Sequence, residues 1–292
     1  MSKNQHYKIF ISIFFLWLFM FIPNQTVVII SYFSVMTLGI YHGSNDIQLI
    51  KKLNKNNSSN LLLVTTYIVI LFISIILFIF SKTITFIAFI TLSSYHFGEQ
   101  HLHKKKINRK QIEVWMYSFH GLFIFSLLFI NKYEEVISIS SELFRLNLHP
   151  NIFKTFTIVS GCFYFTTLFV NYYKSGDYST IFEEIIYSVF FFIFFKASSL
   201  IVGFSLYFII WHSIPSIYDQ ILFLHKKISK STLKLYLKKS FALWLLSLIS
   251  VYFIYYFFGN SYLFESIVFG VLFAISTPHI FVMLFMNLIK KK

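Results

Sequence analysis

Cysteine is almost absent from this chain. Its 292 residues hold one, Cys162, so no internal disulfide forms and no cluster of thiolates holds a metal. Charge is scarce as well. Only 12% of residues are Asp, Glu, Lys or Arg, against roughly 25% in soluble domains. That leaves no polar helix faces to cover a soluble core. Proline is rare, with four residues, and so is glycine, with nine, so the apolar runs go long distances unbroken. The runs do not alternate in polarity, which excludes the strands of a membrane β-barrel.

What remains is apolar: 57% of the chain is hydrophobic. Ten apolar segments stand out, at 8–22, 26–42, 61–80, 83–98, 112–130, 153–172, 184–196, 198–215, 241–258 and 264–289. The first run, IFISIFFLWLFMFI, lacks a small-residue cleavage site and a second run follows at once, so it reads as a retained span, not a signal peptide. The seventh run is short, and only Pro23, Asn24 and Gln25 part the first two. The expectation is an all-α, polytopic membrane bundle of about 8–10 transmembrane helices. No linker is long enough for a second domain, so residues 1–292 read as one. The 40 Phe residues accompany abundant Ile, Lys and Asn. They therefore reflect compositional bias more than an aromatic tunnel.

The net charge of +14 does not point to nucleic acid, because the lysines lie between the spans. With ten spans and both termini in the cytoplasm, only Lys82, Lys132, Arg145, Lys154 and Lys196 of the 25 basic residues fall outside. Such a bias is what the positive-inside rule requires. It suits a multi-pass protein of the inner (cytoplasmic) cell membrane. The basic stretch HKKISKSTLKLYLKKS at 225–240 is expected to lie along anionic inner headgroups.

Histidine is the informative residue. His6, His101, His103, His149 and His225 fall in or beside loops, whereas His42, His96, His120, His212 and His279 lie in or at the ends of spans. An ionisable group in a span is costly and needs a reason. Counted from Gln25, Lys82, Lys196 and Glu265, four of these histidines sit roughly 21–26 Å below the outer surface at about 1.5 Å per residue. His42, His96, His212 and His279 thus form one layer on four outside-to-inside spans, and His120 lies at similar depth. Lone intramembrane histidines commonly bond neighbouring helices. Four at one depth favour a shared metal, with iron, zinc and copper all suited to imidazole.

Acids follow three of the four: Asp46 four residues after His42, Glu99 three after His96 and Asp219 seven after His212. On a continuing helix these share a face. A carboxylate there fixes an imidazole tautomer, although span-end acids are also ordinary. Small residues flank the sites, and Pro215 and Pro278 allow local helix breaks.

The stretches HGSND at 42–46, YHFGE at 95–99, WHS at 211–213 and PH at 278–279 resemble the Brp/Blh family of bacterial β-carotene 15,15′-dioxygenases. The resemblance runs from about residue 38 to 282 and extends to order, spacing and chain length. It implies a multi-span enzyme with a non-haem Fe(2+) held by histidines. Such an enzyme cleaves β-carotene with O₂ into two molecules of retinal, which commonly supply a microbial rhodopsin. Carried over residue by residue, His42, His96 and His212 are iron ligands. Many members have a second histidine four residues after the WH motif, and here that position is Ser216. His279 is the choice for the fourth ligand, ahead of His101 and His120. A carotene has no charged group, so apolar and aromatic walls must bind it. Tyr41, Tyr95, Phe97, Tyr207, Phe208, Trp211 and Tyr218 form the candidate group.

Other classes fit less well. A transporter using intramembrane histidines and acids does not need four imidazoles at one depth, and no internal repeat is visible. A di-iron desaturase would resemble HxxxH and HxxHH clusters, which are missing. An accessory protein that binds carotenoid or retinal without catalysis is the remaining alternative, suggested by Ser216.

Overall fold

The computed structural model describes residues 3–54, 60–105, 107, 110–258 and 262–290. Among them there is no strand. In chain order the elements are α1 (Lys3–Phe19), α2 (Asn24–Ser34), a π-helical segment (Val35–Gly39), α3 (Ile40–Gly43), α4 (Asp46–Leu53), α5 (Asn60–Phe80), α6 (Lys82–Leu102) and α7 (Lys110–Asn131). Then come α8 (Tyr133–Phe144), α9 (Pro150–Tyr172), a 3₁₀ turn (Tyr173–Ser175), α10 (Tyr178–Ala197), α11 (Leu200–Leu206), a second π-helical segment (Tyr207–Ser213), α12 (Ile214–His225), α13 (Lys230–Phe258) and α14 (Tyr262–Lys290).

Helices are the expected answer to these runs, because a backbone in lipid must satisfy its hydrogen bonds internally. Among the described residues, eight stretches are long and apolar enough to cross a membrane: Asn24–Leu53, Asn60–Phe80, Gln111–Asn131, Pro150–Tyr172, Tyr178–Ala197, Leu200–His225, Lys230–Phe258 and Ser266–Ile289. The chain is a polytopic helical membrane protein. Each of the ten apolar runs lies on a helix. α6 has 21 residues but is not among the eight, because Ser93, Ser94, His96, Glu99, Gln100 and His101 crowd its C-terminal half.

Two boundaries differ from the sequence reading. The seventh run is not short. α10 starts at Tyr178, where the Asp177 carboxylate accepts the backbone N–H of Thr180 at 3.1 Å and its hydroxyl at 2.7 Å, an N-cap that satisfies orphan donors. The basic stretch 225–240 is not a separate surface segment. From Lys230 onward it is the opening of α13, 29 residues without Gly or Pro to stop it. Of the basic residues counted inside, Lys55, Lys106, Arg109, Lys291 and Lys292 lie outside the described residues.

The chain divides into two compact units. One comprises Met1–Tyr32 and Ile90–His212. Its centre is α7, which packs on α9 and α10, with Tyr164, Tyr187, Phe191 and Phe195 fully buried. α6 and α7 cross at two glycines. A Cβ on Gly98 would fall on the backbone carbonyl of Tyr117, and one on Gly121 would fall on that of Ser94. Only hydrogen fits at either point, the usual device for close helix approach in membranes.

The other unit comprises Phe33–Phe89 and Ser213–Lys292. Here α14 packs on α4 and α5, and Leu49, Ile50, Val282, Met283 and Met286 form a buried cluster. Tyr41 reaches α13, with its ring 6.2 Å from Tyr236 and 5.9 Å from Trp244.

Candidate metal centre

In the second unit the chain brings His42 and His279 together. Their rings meet edge to face with centroids 4.6 Å apart, and both side chains are buried. His42 sits one turn after the π segment Val35–Gly39, and such insertions re-aim side chains and cluster at functional sites. His279 follows Pro278, which lies inside α14 and has no N–H to give the carbonyl of Ala274. His279 Nδ1 meets both Asp46 oxygens, at 2.8 and 3.0 Å. The acid read from sequence as the partner of His42 therefore holds His279. That was the one candidate with no acid nearby in sequence. Tyr67 donates its hydroxyl to Asp46 Oδ2 at 3.1 Å, making a chain Tyr67–Asp46–His279.

A second network fixes the backbone of His42. The Gln220 amide donates to the His42 carbonyl at 2.7 Å and to the Ser216 hydroxyl at 3.2 Å. Tyr236 donates to the Gln220 oxygen at 2.8 Å. Ser216 is fully buried and has a structural use as a hydrogen-bond acceptor for Gln220.

A cavity of about 680 Å³ reaches this site. It follows α5 from Val64 to Ile79, roughly 22 Å along the axis. Its wall is aliphatic apart from Phe78 and a few polar groups, with Asp46 and Tyr67 at one end. Tyr67 also lines a second cavity of about 460 Å³, bounded by Ile70, Pro278 and Phe281. None of the seven aromatic residues named from sequence is among the described residues lining either cavity.

In the first unit the chain brings His96 and His212 together, with centroids 4.7 Å apart at 76°. Phe97 lies 4.5 Å from His212, and Phe208 stacks on it at 5.4 Å. His212 stands in the π segment Tyr207–Ser213. Its neighbour Trp211 donates to the Ser12 hydroxyl at 3.1 Å, and the Lys8 ammonium lies over its ring. Phe97 and Phe208 thus pack against His212, Tyr207 packs on Phe97 and Phe191, and Trp211 faces Tyr187, Phe190 and Phe191; all four are buried. Tyr95 packs on Tyr117. Glu99 is buried in this unit and Asp219 in the other. Tyr218 is 48% exposed.

A third cluster, in the first unit, escaped the spacing argument. His101, His120 and Glu184 place one donor atom each within 4.8 Å of one another. The two rings stack at 4.4 Å. His101 Nε2 is 3.2 Å from both Glu184 oxygens, and His120 Nε2 is 4.0 Å from Oε2. Tyr164 donates to Oε2 at 2.7 Å, and the Lys105 ammonium to Oε1 at 2.5 Å. Glu184 was not singled out in sequence, because it stands beside Glu183 at the polar end of an apolar run. Tyr67 and Gln220 carried no signal either.

No curated protein and no solved structure matches the chain. A family model does: residues 33–287 match that of beta-carotene 15,15′-dioxygenase. The matched stretch contains every histidine pair described above, and the chain belongs to the beta-carotene 15,15′-dioxygenase family.

Proposed function

We propose that this protein cleaves β-carotene at its central 15,15′ double bond with O₂, giving two molecules of all-trans-retinal, at a ferrous ion held by His42, His96, His212 and His279. The observation that carries the reading is the pairing of four buried imidazoles, each pair with one member on or just after a π segment. The donor set fits Fe(2+). Neutral imidazoles suit it without adding charge. His279 has its Nδ1 committed to Asp46, which leaves Nε2, on the far side of the ring, as the ligand atom. Bound ferrous iron would supply the activation of O₂ and the oxidation of the polyene.

The chain's own residues do the rest. Asp46 fixes the tautomer of His279, and Tyr67 fixes Asp46. Gln220 anchors the backbone that carries His42. Phe97 and Phe208 cover the His212 ring. The substrate lacks polar groups, so it reaches the enzyme through lipid, and apolar surface binds it. On this reading the protein would sit in the inner cell membrane with both termini cytoplasmic, as the distribution of basic residues between spans supports, and its retinal would serve a microbial rhodopsin.

The test is expression in bacteria that accumulate β-carotene, with retinal quantified by chromatography. The expected result is loss of carotene and appearance of retinal, abolished by His42→Ala, His96→Ala, His212→Ala or His279→Ala. Unchanged carotene, with the protein shown in the membrane, would sink the cleavage reading and favour a carotenoid-binding role. Retinal formation that survives all four variants would sink the ligand assignment.

A further inference from the structure

We propose that His101, His120 and Glu184 form a second transition-metal site, separate from the four-histidine set, with Lys105 as the cation that a metal displaces. The three donors come from three different helices, α6, α7 and α10, and turn toward one point. Glu184 and His120 are 1% and 2% exposed at the side chain, and His101 is 7% exposed. Two imidazoles and one carboxylate are the donor set of non-haem iron and related divalent sites with open positions. The separations of 3.2 and 4.0 Å need only small adjustments to meet bond lengths of about 2.0–2.2 Å to a common ion.

Lys105 marks the place as one where a cation is stabilised. Its ammonium contacts Glu184 Oε1 and is also 3.5 Å from Glu183 Oε2. It therefore has a second carboxylate to retreat to. Two carboxylates and one ammonium leave the cluster at net −1. A divalent ion on Glu184, with Lys105 moved onto Glu183, takes it to +1, so neither state is heavily charged. The other groups serve the site. The Tyr164 hydroxyl on Oε2 fixes the plane of the carboxylate. The rings of Tyr187 and Trp211, 5.5 and 6.4 Å from His101, wall it from lipid.

The experiment uses the full chain purified in detergent, stripped of metal and loaded with Co²⁺. Bound equivalents are counted by elemental analysis and followed by visible absorption. Wild type is expected to bind two equivalents and Glu184→Gln one. Lys105→Met removes the competing charge and is expected to tighten the second equivalent by about tenfold or more. Co²⁺ is also expected to restore thermal stability lost in Lys105→Met, which a purely structural ion pair would not allow. An unchanged count in Glu184→Gln, or no gain in affinity in Lys105→Met, overturns the proposal. The two metal assignments separate cleanly. A single wild-type equivalent that is lost in His42→Ala but kept in Glu184→Gln overturns this site alone. One lost in Glu184→Gln but kept in His42→Ala supports this site and overturns the four-histidine reading.

Discussion

At the scale of single residues, the hydrogen bonds behind the histidines make sharp claims. Tyr67→Phe keeps the ring in the cavity wall and removes only the hydroxyl on Asp46. Loss of such outer partners typically weakens metal binding by about 10–100-fold, and the lower end is expected here, because Tyr67 acts through Asp46. Metal retention on dilution into chelator measures it; retention equal to wild type would show that the hydroxyl does not position His279. Gln220→Leu strips a donor from the His42 carbonyl and leaves the Tyr236 hydroxyl without its acceptor. A cost of about 1–3 kcal/mol is expected from such a buried loss, read as a fall in the detergent melting temperature. The histidines themselves were legible, since a titratable group inside an apolar run needs a cause. Their pairing was not. Asp46 lies four residues from His42, yet it bonds His279, 233 positions away. Local spacing carries no information about which distant helix will be adjacent. The same blindness hid Glu184, whose partners arrive from three other helices, α6, α7 and α9.

At the scale of elements, the sequence showed how many helices there are better than it showed how they end or bend. Ten apolar runs lie on ten helical stretches, because hydropathy acts over the whole run. The start of α10 depends on one capping carboxylate, and the continuity of α13 on the lack of a breaker; neither changes hydropathy. The π segments at Val35–Gly39 and Tyr207–Ser213 are also silent, since one added residue in a uniformly apolar helix leaves no mark in polarity. Glycines give a clear contrast at this scale. Gly98→Ala and Gly121→Ala each push a methyl into a facing backbone, which cannot yield as a side chain can. Overpacking of this kind costs about 1–3 kcal/mol, and more is expected where α6 and α7 touch. Gly43→Ala meets nothing nearer than 3.6 Å and is expected to leave the melting temperature unchanged. Thermal unfolding of the three variants compares them directly, and an equal loss in all three would refute the crossing argument.

At the scale of the whole molecule, the composition settles the solvent. Eight stretches able to span a membrane predict that the protein stays in the membrane fraction through high-salt washing. A reporter fused after Lys292 is expected to read as cytoplasmic, and a reading on the outer side would reverse the orientation. α13 adds a further consequence. Its 29 residues run about 43 Å at 1.5 Å per residue, against a hydrocarbon layer of about 30 Å. Its first turns carry Lys230, Lys234, Lys238 and Lys239. Its apolar run, 241–258, covers about 27 Å of that length, so the lysine-bearing first turns stand at the interface, and a change in bilayer thickness shifts them relative to the headgroups. Tyr236, which holds Gln220 and through it the backbone of His42, lies within those first turns. Hydrophobic mismatch therefore acts on the anchor of a ligand candidate: in reconstituted vesicles, acyl-chain length should tune the enzyme, with thin bilayers pulling Tyr236 out of register.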